Sequence, residues 1–389
     1  MSERGAALHK PTTSISDRLS ALDGVIPSIV VVLLAVGIIM VFSATMVRSA
    51  NEYGTPYYYL LRHVVSVLLA LMVAIGVSLI PFESLPRLSW PLTLLTISLL
   101  AIVLVPGVGV THRGATRWLS IYGFCFQPSE LAKFTLPLFL ASVILTQSQK
   151  RNGTARVFMA TLPVVLVILL LVAAEPDYGT AGLLAVICGS VYFVAQTKLR
   201  QIGVLAMLAL PSGLCAYHFS QHFRKRIDDF VGYLIDPANA PWHLRQAWIA
   251  MGWGGVTGKG PGGGMQKHLV LAESFNDFAF ASLAEEGGFI AAAAVIILFL
   301  VLLARGVMLS LSLDVYFARL LGFGLSMSLG IQSFMNICVV LGLMPTKGMS
   351  LPFISYGGSG MLANLVTVGL LLSVLRSRVE SGGNGVRRD

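Results

Sequence analysis

The stretch LVLAESFNDFAFASLAEEGGFI (269–290) sets Glu273, Asp277, Glu285 and Glu286 at the mouth of a long apolar run. Carboxylates are costly in such a place. A helix beginning before Asp277 would align Glu273 and Asp277 at i, i+4, where like charges cost about a few tenths of a kcal/mol in water and more where water is scarce. Such a pair shares a cation or raises the pKa of one member, and both states belong to functional sites more often than to scaffolds. A partly desolvated carboxylate can take a proton from a hydroxyl. Asp277 and Glu273 are therefore candidates for accepting a proton or for sharing a cation. Glu285 and Glu286, two turns deeper, are better matched to capping or pairing between helices.

Cations and polar turns surround that run. In THRGATRW (111–118), Arg113 and Arg117 are four apart. One interfacial arginine commonly meets lipid headgroups, whereas two at helical spacing also suit a diphosphate. FRKR (223–226), with Arg224, is either a headgroup anchor or a contact for an anionic lipid-linked substrate. QPSELAK (127–133) spaces Glu130 and Lys133 at i, i+3 just inside an apolar run. Ionisable groups at that depth pair with each other and face a cavity, so this pair lines a polar cavity, locks two helices, or does both. GWGGVTGKGPGGG (252–264) formally contains GxGxxG, but no strand precedes it and Pro261 interrupts it. It also fails as a phosphate-binding P-loop, because Trp253 stands where the first glycine is needed and Gly260 where Ser or Thr should follow the lysine. It is a flexible or tightly turned segment, with Lys259 and Lys267 as candidate phosphate contacts. MPTKGMSLPFISYGGSG (344–360) brings Lys347 and Ser355 into irregular backbone before a span, which is tolerated at membrane depth only inside protein or against a wet cavity.

These groups must be positioned by a membrane bundle. Of the 389 residues 56% are hydrophobic and only 12% charged, against roughly 25% charge in soluble domains. Ten apolar runs approach the length that crosses a hydrocarbon core about 30 Å thick. They lie near 25–46, 59–80, 90–107, 129–147, 157–174, 179–195, 201–219, 279–303, 318–343 and 361–375. More than half of the 27 lysines and arginines fall in the two tails and alternate short loops, which orients the chain N-in and C-in. The net charge of +9 is spread over connections and does not describe a nucleic-acid-binding domain. Residues 1–24 and 377–389 are cytoplasmic tails and 25–376 the membrane domain. A polar tail precedes a first run long enough to span, which suits a retained signal anchor and not a cleaved signal peptide. The one long connection, 220–278, is rich in Trp, Gly and charge and faces the same side as the polar turns. The four cysteines show no CxxC pairing and suit apolar packing.

QPSELAK, EPDYGT (175–180), ESFNDFAFASLAEEGG (273–288), the Gln332 to Asn336 spacing in QSFMN, and MPTKGMSLPFISYGGSG resemble the SEDS family of bacterial shape, elongation, division and sporulation proteins. The resemblance runs in order from about residue 35 to 376. PTKG before SLPFISYGGSG is similar to the division and sporulation branches more than to the elongation branch. The resemblance implies an all-α polytopic membrane protein of ten helices in the bacterial cytoplasmic (inner) membrane, at the division septum. It further implies a polymerase that joins lipid II onto an undecaprenyl-pyrophosphate-linked glycan, in partnership with a class B penicillin-binding protein and other divisome proteins. An elongation polymerase or a lipid II flippase are the competing readings. The family's essential loop aspartate falls on Asp277, because LAESFND aligns with an LPEAHTD-like pattern, from which this chain departs at Ala272, Ser274, Phe275 and Asn276. No cofactor is required, and a divalent cation near Glu273 and Asp277 is compatible with the residues.

Overall fold

The computed structural model describes residues 24–112, 115–121, 124–150, 153–264 and 276–377. The chain is a helical polytopic membrane protein. Its elements are α1 (Val25–Tyr53), α2 (Tyr58–Ser78), α3 (Leu85–Val103), β1 (Gly109–His112), β2 (Ala115–Ile121), β3 (Phe124–Phe126), α4 (Ser129–Gln149), α5 (Thr154–Ala174), α6 (Tyr178–Val194), α7 (Leu199–Phe219), α8 (Gln221–Ile235), α9 (Trp242–Gly254), α10 (Ala279–Leu311), α11 (Tyr316–Val340) and α12 (Gly358–Leu375). Eight of these helices are long and apolar enough to cross a membrane, and α6 is a shorter apolar helix. The remaining expected span, 201–219, is the helix α7.

Burial sorts the helices. The most apolar windows of α4, α11 and α12 are 78%, 83% and 78% buried, whereas that of α2 is only 22% buried. Most of the Ser, Thr, Asn and Gln side chains of these central helices are buried with them, because lipid offers those groups no hydrogen-bond partner. The outer helices also turn polar groups inward, Ser43 and Thr45 of α1 and Ser89, Thr93 and Thr96 of α3 being buried.

Two departures from the expected architecture matter for the site. Residues 109–112, 115–121 and 124–126 form a small antiparallel sheet in the order β1-β2-β3, with Val110 opposite Trp118 and Ser120 opposite Cys125. The β-branched and aromatic residues Thr116, Trp118, Ile121, Phe124 and Phe126 favour a pleated surface over a helix. Arg117 therefore stands on a strand, and the helical spacing assigned to it and Arg113 does not apply. The connection 220–278 is not a plain loop either. It contains α8, whose side chains 223, 226, 227 and 230 share one face, and α9, which packs along α10.

The glycine-rich turn after α9 is fixed by α10. Gly288 (φ 68°, ψ −170°) breaks the regular geometry of α10, which frees backbone groups on both sides of it. Lys259 N donates to Glu285 O (3.1 Å), Gly260 N to Glu286 O (2.9 Å), and Phe289 N to Gly255 O (2.9 Å). Gly258, at φ +79°, lies so close that a Cβ there would sit 2.1 Å from Glu286 O. The Glu286 side chain accepts from Ser43 Oγ of α1 (2.7 Å) and from Gly262 N (3.1 Å). Glu285 and Glu286 thus hold α1, α10 and the turn together, the packing role expected of them.

Candidate active site

Asp277 precedes α10. The helix begins at Ala279 and Asp277 lies in the turn before it. Two side chains hold this turn by its carbonyls. Asn336 of α11 donates to Asp277 O (3.2 Å) and to Met349 O. Buried Ser355 donates to Asn276 O (2.7 Å) while accepting from Leu351 N (2.9 Å). The half-buried carboxylate of Asp277 lies against Gly348, where a Cβ would stand 3.2 Å from Oδ2. A side chain at 348 would press on this carboxylate, which would have to give by a few tenths of an ångström.

Beside this turn, a pocket of about 200 Å³ opens between Tyr178 and Gly179 of α6, Phe223, Arg226 and Ile227 of α8, and residues 344–347. Two cations reach it. Burial pushes the Lys347 amine down to about 8, against the opposing charge of Asp177. Burial also lowers Arg226, assisted by the charge of Arg117 and opposed by Asp177 and Asp277. Arg226 thus couples the pocket to the Asp277 carboxylate. An anion entering here would meet two poorly hydrated cations whose desolvation the fold has already imposed.

Arg117 borders this cluster, but its fork is turned to the protein. Nε donates to Glu175 O (3.1 Å), a terminal nitrogen donates to Pro176 O, and the other lies 3.8 Å from Asp177 Oδ1. Asp177 also caps α6 through Thr180 N (3.2 Å) and accepts from Gln127 Nε2 (3.2 Å). Arg117 is a clamp between β2 and the turn from α5 to α6. Glu175, in that turn, is fully buried, and burial followed by the charge of Asp177 pushes it up to about 8.

Lys133 Nζ meets Glu130 Oε1 at 2.7 Å and Gln332 Oε1 at 3.0 Å, and Gln332 Nε2 donates to Ser350 O (3.0 Å). Lys133 and Glu130 are 2% and 7% exposed. This chain of contacts ties α4 to α11 and to the segment that carries Gly348 and Ser355, the locking arrangement of the two expected. Arg224 is exposed and turns back to donate to Tyr217 O (3.1 Å) and His218 O (2.8 Å) at the end of α7. Lys259 is exposed over the Trp253 ring, 4.3 Å from its centroid. Neither lines the pocket. Arg113, Lys267 and Glu273 lie outside the described residues, and so does any cation site shared by Glu273 and Asp277. Among the described residues no cluster of three or more His, Cys, Asp or Glu could hold a metal ion.

The pocket is lined largely from segments singled out in the sequence, EPDYGT, FRKR and MPTKG, but partly by other residues within them. Arg226, not Arg224, faces the pocket, and the helical period of 223, 226, 227 and 230 was the available signal. Asp177 lies in the EPDYGT segment, but its joint cap and ion-pair role depends on Arg117, sixty positions earlier.

Comparison with known proteins places this geometry. A family model described as cell cycle protein, FtsW/RodA/SpoVE, matches residues 25–380. A probable peptidoglycan glycosyltransferase FtsW of Geobacter sp. (strain M18) is 35% identical over 92% of this chain and 97% of its own. Its counterpart in Geobacter sulfurreducens is 36% identical over 90% and 94%. Among solved structures, a chain from a peptidoglycan synthase complex that coordinates polymerization and crosslinking is similar at a TM-score of 0.74 and 29% identity, covering 92% of this chain and 98% of that one. The rod shape determining protein RodA of Thermus thermophilus is similar at a TM-score of 0.67, also at 29% identity, over 92% and 98%.

Proposed function

We infer the function from one premise: this chain belongs to the FtsW/RodA/SpoVE family of cell cycle proteins. It is a peptidoglycan glycosyltransferase of the FtsW kind. Its substrate is lipid II, polymerised at the outer face of the bacterial cytoplasmic membrane, with both termini inside and the pocket end of the bundle outside. The observation that carries this reading is the placement of the Asp277 carboxylate beside Gly348, electrostatically coupled to half-buried Arg226 at a pocket shared with Lys347.

Asp277 takes the proton from the 4-hydroxyl of an incoming lipid II sugar as that oxygen attacks the anomeric carbon of the lipid-linked strand. The bond from that carbon to the diphosphate oxygen breaks, with inversion. Undecaprenyl diphosphate leaves with the electron pair, and Arg226 and Lys347 stabilise its charge. No strong general acid is needed, because diphosphate is already a good leaving group. Arg117 contributes by holding the turn that carries Asp177 and Tyr178.

Similarity to a chain from a complex of polymerization and crosslinking supports pairing with a transpeptidase, a class B penicillin-binding protein. The FtsW relatives at 35% and 36% identity support septal synthesis, alongside other divisome proteins, over a RodA-like role in elongation.

Full-length protein purified in detergent, where no membrane separates two sides, is expected to convert lipid II into glycan polymer. A protein that only moves lipid II across a membrane would form none. Within the pocket, Lys347 is charged below about 8 and neutral above it. Binding of undecaprenyl diphosphate should therefore weaken as pH rises through about 8. The Lys347→Arg protein should hold its affinity across that range, because a guanidinium stays charged. An equally steep loss in both proteins, titrated by calorimetry, would remove Lys347 from the diphosphate site.

A further inference from the structure

An aromatic cluster outside the pocket is not used by the mechanism above. Tyr53 at the end of α1 stacks on Tyr58 at the start of α2, with centroids 3.7 Å apart and planes 13° apart. Tyr59 meets both at right angles, at 5.7 and 5.4 Å. Tyr59 also contacts Tyr356 edge to face at 6.0 Å. Tyr53 and Tyr58 are 48% and 36% exposed. We propose that Tyr53, Tyr58, Tyr59 and Tyr356 form a stacking platform that holds the elongating glycan strand as it leaves Asp277.

One observation favours a sugar polymer as the occupant, and it is continuity with the site. Ser355, next to Tyr356, donates to Asn276 O in the turn that presents Asp277. The platform therefore starts one residue from the tie that positions the base and runs outward through Tyr59 to Tyr58 and Tyr53. The axial C–H groups of a pyranose give it an apolar face that packs on an aromatic ring while its hydroxyls stay in water. Tyrosine offers that ring with a polar edge.

The inference rests on the polymerase reading, and two measurements separate their failures. Purified uncrosslinked glycan strands are titrated into full-length Asp277→Asn protein, which cannot alter them, and strand lengths are measured with the catalytically intact protein. Adding Tyr53→Leu and Tyr58→Leu should weaken strand binding about three- to tenfold and, in the catalytically intact protein, shorten the strands comparably. Tyr53→Trp with Tyr58→Trp should preserve both. Leucine keeps the surface apolar for lipid or a partner helix but removes the flat ring, so unchanged strand binding and strand length in the leucine protein would overturn the platform. If the intact protein makes no polymer but leucine still weakens strand binding, the platform stands and the polymerase reading falls.

Discussion

The Asp277→Asn protein, folded and membrane-embedded, is expected to polymerise lipid II about a hundred- to ten-thousandfold more slowly, the usual share of a general base. The substitution keeps the shape of the side chain and removes its ability to accept a proton. It leaves the ties from Asn336 and Ser355 in place, because these hold the carbonyls of residues 277 and 276 and not the carboxylate. Asp277→Glu should recover little, since one more methylene drives the carboxylate toward the 348 backbone, where even a Cβ would stand 3.2 Å from Oδ2. Strand formation on a gel at equal protein checks both. Polymer from the folded asparagine protein at the normal rate would end the role assigned to Asp277.

The largest effect on stability is expected at Lys133. Lys133→Met leaves Glu130 buried beside Gln332 without its cation, and a buried pair broken on one side costs about 3–5 kcal/mol. The damage should be readable as a lower unfolding temperature in detergent. Adding Glu130→Gln removes the stranded charge and should restore most of the loss, because the remaining amides can still bond to one another. If Lys133→Met alone unfolds within about 0.5 kcal/mol of the unsubstituted protein, the pair does not lock α4 to α11. Charge exchange, Glu130→Lys with Lys133→Glu, would regain activity if the pair acts only through packing.

The bundle was legible because lipid imposes a simple code. Every expected span corresponds to a helix, and the central helices α4, α11 and α12 bury most of their uncharged polar residues. Glu130 and Lys133 were legible for a related reason: two charges at that depth must find each other, and i, i+3 spacing brings them together. The sheet of β1, β2 and β3 was not, because Arg113 and Arg117 mimic a helical pair while the β-branched and aromatic residues between the glycines carry the stronger preference. α8 was hidden inside a connection of mixed charge and aromatics, although its period of 3.6 residues selects Arg226. The clamp made by Arg117 has no signature at all, since two of its partners are backbone carbonyls of Glu175 and Pro176. The glycine-rich turn resembled a phosphate loop in composition, and only the break at Gly288 explains why its amides point at α10.

Loss of activity alone does not separate a base from a residue that grips the substrate. The direct test of the assignment of Asp277 is equilibrium binding of lipid II to the folded Asp277→Asn protein. An affinity within about threefold of the unsubstituted protein is predicted, because a base acts on the proton in the transition state and not on the bound substrate, and removing a negative charge does not weaken the hold on an anionic lipid. A loss of about a hundredfold, about 2.7 kcal/mol, would contradict it and make Asp277 a headgroup or gating residue.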